Sequence, residues 1–112
     1  MRSSYPHFLL NVCQVVKIRP AIMFYYVYVL ESINYARLYI GYTLDIEARV
    51  EKHNRAVNFS TKSYAPWRLI FYEAYLNKQD ALRREKYLKT SQGSRLLKRM
   101  LKEYFYDNKS KN

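Results

Sequence analysis

The chain reads as an α/β (α+β) domain: a small three-stranded sheet flanked by helices, in the order β-β-α-β-α-α. Three observations carry this expectation. Two short segments, Tyr25–Leu30 and Leu38–Thr43, are dense in β-branched and aromatic residues and are separated by a polar turn, the pattern of a hairpin. After Thr43 the apolar spacing lengthens from two to about 3.6 residues, the repeat of an amphipathic helix. A third aromatic and aliphatic run, Trp67–Leu76, is then followed by two further helix-period segments. Strands in one layer and helices in another bury such faces against each other.

Taken in order, residues 1–22 differ from the remainder of the chain. They hold no acidic residue and open Met1-Arg2-Ser3-Ser4-Tyr5-Pro6-His7 before a short apolar run that Asn11 and Gln14 interrupt. No small-residue cleavage site comes after it, so a signal peptide is not expected. The segment is expected to be a leader of doubtful order, or the product of a start codon upstream of Met23. The domain then spans 23–106, with a frayed tail over 107–112. The hairpin turn falls between Glu31 and Arg37, where Ser32 and Asn34 are turn formers. Gly41 is one of only two glycines, and a glycine inside a strand marks a bulge or a close approach to the backbone.

The first helix is expected over Asp45–Val57, capped by Thr43 or Asp45, with Ile46, Val50 and Val57 on its apolar stripe. A polar loop, Asn58 to Ser63, leads through Tyr64, Ala65 and Pro66 into the third strand. Asn77 caps the second helix, Asp80 suits its positive end, and the helix runs to Lys89 or Thr90. Gly93 is expected to break the chain. The last helix runs from Ser94 to Tyr106, with Leu97, Met100, Leu101, Tyr104 and Phe105 inward.

Composition narrows the function. The net charge of +11 is most simply explained by a polyanionic partner, of which nucleic acid is the commonest. A solvated basic surface is the bland alternative. A membrane surface fits less well, because no long apolar segment is present. The single cysteine, Cys13, excludes an intramolecular disulfide and a cysteine-based zinc site, and it fits a reducing, cytoplasmic setting.

Two helices carry side chains with chemistry. Arg49 and His53 are four apart and share a face bordering the apolar stripe. They read either as a snorkelling arginine with a hydrogen-bonded interfacial histidine, or as an anion site in which arginine grips phosphate and histidine moves a proton. On the second helix the spacing from Ala81, Leu82 and Leu88 turns Glu85 inward. An inward carboxylate is costly unless paired or metal-bound. It reads either as a salt bridge to Arg49, Arg84 or Lys89, or as a ligand for Mg²⁺ or Mn²⁺, which needs only one or two carboxylates beside water and phosphate oxygens. Basic residues from Lys78 to Lys102 surround it. Gly41, Tyr42, Lys62, Arg84, Lys86 and Lys89 are the candidate substrate contacts.

Together these residues resemble the GIY-YIG nuclease domain over roughly Phe24 to Tyr104. Tyr26-Val27-Tyr28 is similar to the first half of the family signature, with Tyr26 in place of its glycine, and Tyr39-Ile40-Gly41 is the second half intact. Arg49 and His53 fall where the family has a helix-borne arginine and a histidine or tyrosine. Glu85 falls where it has its metal-binding glutamate. The small stand-alone bacterial members share Tyr39-Ile40-Gly41-Tyr42-Thr43, Arg49, His53-Asn54 and Arg83-Arg84-Glu85-Lys86. The N-terminal nuclease domain of the ABC excinuclease is more distant: it has a lysine where this chain has Tyr42.

The resemblance implies metal-dependent hydrolysis of DNA phosphodiester bonds, in repair or processing. Glu85 would hold the ion, Arg49 would stabilise transition-state charge, and Tyr39 would activate water with Tyr28 or His53 assisting. The alternative is a non-catalytic basic module that binds branched or damaged nucleic acid.

Overall fold

The structure is a computed structural model and describes residues 23–56 and 60–111. The expected leader, with Cys13, and the stripe position Val57 lie outside the described residues, as do Asn58 and Phe59. Among the described residues three strands and four helices succeed one another: β1 (Tyr25–Ser32), β2 (Leu38–Thr43), α1 (Ile46–Asn54), β3 (Trp67–Tyr75), α2 (Lys78–Leu88), α3 (Ser91–Met100) and α4 (Lys102–Lys111). A single 3-10 turn, Lys62–Tyr64, leads into β3. The order is therefore β-β-α-β-α-α-α, one helix more than the sequence implies.

The sheet is antiparallel, with strand order β2-β1-β3, so β2 and β3 are its edges. Alternation along β1 sends Val27 and Val29 to one face and Tyr28 and Leu30 to the other. The first face packs on α2 and α3 through Ala81, Leu88 and Leu97. The second gathers Tyr28, Leu30 and Trp67, with Val50 of α1 packed against them. A bulge keeps this division intact along β3. The register slips between Val29 and Leu30, so Val29 pairs with Phe71 while Leu30 pairs with Leu69. The skipped residue is Ile70, which returns Leu69 and Trp67 to the face of α1.

Helix ends follow local chemistry. The Asp45 side chain accepts from the Ala48 amide, making Asp45 rather than Thr43 the cap of α1. The helix stops at Asn54 instead of reaching Val57, because Ala56 takes the left-handed conformation, with φ of 60°. Asn77 caps α2 as expected, accepting from Gln79 and Asp80.

Gly93 does not break the chain. Thr90 accepts from the Gly93 amide and starts α3 at Ser91, so the glycine lies in the first turn of that helix. A Cβ there would collide with the Tyr87 carbonyl oxygen, so Gly93 lets α3 start against the end of α2. The expected last helix is divided at Leu101, between α3 and α4, with no proline or glycine to mark the place. Leu97 and Leu101 pack inward, but Met100 is turned out to solvent. Residues 107–111 form the last turns of α4 rather than a frayed tail. Among the described residues no helix is long and apolar enough to cross a membrane.

Candidate active site

The site is built around the Tyr28 phenol, which lies over Gly41 of the neighbouring strand. The two residues are paired across β1 and β2, and a Cβ on Gly41 would collide with the Tyr28 hydroxyl and ring. The close approach expected at this glycine is made by a tyrosine ring, at a position also expected to contact substrate. Tyr28 is buried, with 1% of its surface exposed.

Behind Tyr28 stands a hydrogen-bonded chain. Its hydroxyl is 3.0 Å from His53 Nε2, and His53 Nδ1 is 2.8 Å from the Thr61 hydroxyl. The Thr61 carbonyl accepts from the Trp67 indole at 3.0 Å. His53 is fully buried and both its ring nitrogens are engaged. Burial, and then the positive charge of Arg49, hold its pKa below the ordinary 6.5. The imidazole is neutral at pH 7, so one nitrogen donates and the other accepts. The histidine is thus shut off from solvent. Asn54 fixes this corner, accepting from the Trp67 amide at 2.5 Å and donating to its carbonyl at 3.1 Å.

In front of Tyr28 the side chains are reachable. Tyr39 is half-buried, and its ring lies 4.7 Å from the His53 ring and 6.1 Å from that of Tyr28. The Tyr28 phenol is pushed well above its ordinary pKa, first by burial and then by the neighbouring Tyr39. Arg49 pulls in the opposite direction, and Glu85 adds a push upward. Arg49 is half-buried and carries no ion pair among the described residues. With Tyr42 and Lys52 it lines a groove of about 320 Å³ at the edge of β2.

The remaining candidates divide. Glu85 is inward enough to be 21% exposed, and Lys89 Nζ sits 3.1 Å from it as an i,i+4 pair. Lys89 is 53% exposed, so a cation can displace its ammonium at small cost. No group of three or more His, Cys, Asp or Glu able to hold a metal occurs among the described residues. A single carboxylate still fits a magnesium-like ion, which leaves most of its shell to water and phosphate. Tyr42 stacks on Tyr25, with ring centroids 6.4 Å apart, and lines the Arg49 groove. Lys62 and Lys86 are exposed.

Arg84 is not available to substrate. Its guanidinium binds Glu73 through both forks, at 2.9 and 3.0 Å, and Tyr75 donates to the same carboxylate at 2.6 Å. Burial raises the Glu73 carboxyl, but these bonds and the Arg84 charge outweigh it and hold it below the ordinary range. Burial and Glu73 together push Tyr75 up to about 12. Thr61, the partner of His53, is a member of the site that the sequence does not single out. Its only signal is its place in the polar loop after the first helix.

The GIY-YIG catalytic domain matches residues 24–100. UPF0213 proteins of Staphylococcus aureus strains Mu3, Mu50 and N315 are each 45% identical over 67 residues, covering 59% of this chain and 80% of theirs. No solved structure matches the chain. The chain belongs to the GIY-YIG family of nuclease domains.

Proposed function

We propose that the protein is a divalent-metal-dependent endonuclease that hydrolyses phosphodiester bonds in DNA. The observation that carries this reading is the arrangement of the site. The buried Tyr28–His53–Thr61 hydrogen-bonded chain backs the half-buried Tyr39, with Arg49 lining the groove at the edge of β2 and the weakly tethered Glu85 on α2. Glu85 would hold one Mg²⁺ or Mn²⁺, and the chemistry such an ion supplies is polarisation of a phosphoryl oxygen.

The protein's own groups do the rest. Arg49 grips the non-bridging oxygens and meets the charge that grows on them in the transition state. Tyr39 is the hydroxyl that water and phosphate reach, so it orients the attacking water and accepts its proton. A phenol that takes up the water's proton gives up its own, so the half-buried Tyr39 relays that proton to solvent. Tyr28 stays protonated. Its ring packs against that of Tyr39, and His53 with Thr61 fixes Tyr28 from behind. Tyr42 and Lys52 flank the incoming strand at the groove.

A cytoplasmic role in DNA repair or processing fits this activity. The test is a panel of labelled linear, flapped and branched DNAs incubated with Mg²⁺, Mn²⁺ or EDTA. Cleavage is expected with either metal and not with EDTA, and Glu85→Ala is expected to remove it from a folded protein. Full magnesium-dependent cleavage by that variant overturns the metal assignment. The Lys89 pair on Glu85 is what a non-catalytic nucleic-acid binder would also show. That reading predicts salt-dependent DNA binding indifferent to Mg²⁺, with no nicking.

A further inference from the structure

A second basic pocket lies at the opposite end of edge strand β2 from the Arg49 groove. It has a volume of about 660 Å³ and forms where the hairpin turn meets the junction of α3 and α4. Lys98, Lys102 and Arg37 rim it, and Leu38 and Phe105 give it an apolar wall. Lys98 and Lys102 are exposed and carry no ion pair among the described residues. Arg37 is held in position by the Tyr64 hydroxyl at 2.6 Å, with its guanidinium 4.3 Å above the Tyr64 ring.

The one acid in the wall, Glu31, does not cancel these cations. Its carboxylate is already occupied by the Tyr104 hydroxyl and by Arg68 at 3.4 Å. The pocket therefore presents a net positive rim with its acid satisfied. The catalytic residues use neither the lysines nor the arginine.

We infer that this pocket anchors a single strand of nucleic acid that runs along the edge of β2 to the Arg49 groove. The inference rests on the nuclease reading of that groove. Leu38 and Tyr42 mark the two ends, and four residues of antiparallel strand span roughly 14 Å, a length that a short oligonucleotide backbone covers. Among the described residues no strand pairs with the outer side of β2. Lysines meet phosphates, and Phe105 with Leu38 offers a surface on which a base can rest. A compact inorganic anion would use the lysines and leave the apolar wall unused, whereas a nucleotide strand uses both.

The test measures binding of a fluorescent single-stranded oligothymidylate to the full chain in EDTA across a salt series. The double variant Lys98→Ala/Lys102→Ala is expected to bind about tenfold more weakly at low salt. Its salt dependence should be shallower by roughly 0.7 in log–log slope for each lysine removed. Lys98→Arg/Lys102→Arg is expected to restore both. Unchanged affinity and slope in the alanine variant overturn the proposal. So does a poly-glutamate peptide that binds with the same affinity and the same dependence on the lysines, which would mark a general anion surface. Plasmid nicking by the unmodified chain is followed in parallel. Nicking with no effect of the lysines on binding removes the anchor and leaves the nuclease reading. A lysine effect without nicking removes the nuclease reading and leaves the anchor as a binding face.

Discussion

The two faces of the sheet are made by the same strand and do different work. On the side of α2 and α3, Val27, Val29, Ala81, Leu88 and Leu97 are buried with no polar atom among their side chains. On the side of α1, the buried groups include Tyr28, His53 and Thr61, whose hydroxyls and ring nitrogens are joined in one hydrogen-bonded chain. The first face draws its stability from apolar area removed from water, which is non-directional. The second depends on every polar atom finding its partner, so it specifies geometry more sharply and tolerates substitution less. A small domain can thus keep its stability on one side and hold a preorganised site on the other.

The largest expected effect on stability tests the apolar face. Leu88→Ala empties a fully buried position and should cost about 2–5 kcal/mol in urea unfolding, while the fraction that remains folded keeps its specific cleavage rate. A loss of rate per folded molecule would break the division between the faces. Next comes Gly41→Ala, which drives a methyl group into the Tyr28 ring. It should lose roughly 1–3 kcal/mol and most of the activity together, because the ring it displaces is the one that fixes Tyr39. Tyr28→Phe keeps the ring but strips a hydrogen-bond partner from His53 Nε2, at a cost of about 1–3 kcal/mol measured the same way.

The pH dependence sharpens the contrast further. His53 titrates below 6.5 in the folded protein, so the unfolded chain binds protons more readily near that pH. Its contribution is fully present above about pH 6.5 and is lost as pH falls through that value toward the lower folded pKa. Thermal melting from pH 7.5 down to about pH 5 should show this slope, and His53→Gln should flatten it. The buried cluster of the apolar face offers no titrating group that could produce such a slope.

Much of the fold is legible in the sequence. Strand alternation, the change of period after Thr43 and the caps Asp45 and Asn77 are local signals, and each produces its element. Arg49, His53 and Glu85 stand out because helical spacing places them on definite faces. The remainder is set by tertiary contact. The two glycines read as a backbone gap and a chain break, yet each makes room for a neighbour, the Tyr28 ring and the Tyr87 carbonyl. Arg84 reads as a free cation because its partner, Glu73, lies on a strand eleven residues away. Thr61 belongs to a loop with no periodicity, so nothing in its own segment announces His53. The break at Leu101 has no proline or glycine to signal it.

The central claim is that Arg49 and Glu85 serve the reaction and not the fold. It is tested most directly by measuring melting temperature and plasmid nicking on the same preparations of Arg49→Ala, Glu85→Ala and Leu88→Ala. Near-native melting with nicking reduced at least about a hundredfold is expected for the first two, and lowered melting with retained nicking below the transition for the third. Arg49→Ala or Glu85→Ala protein that melts normally and still nicks at the unmodified rate would contradict it.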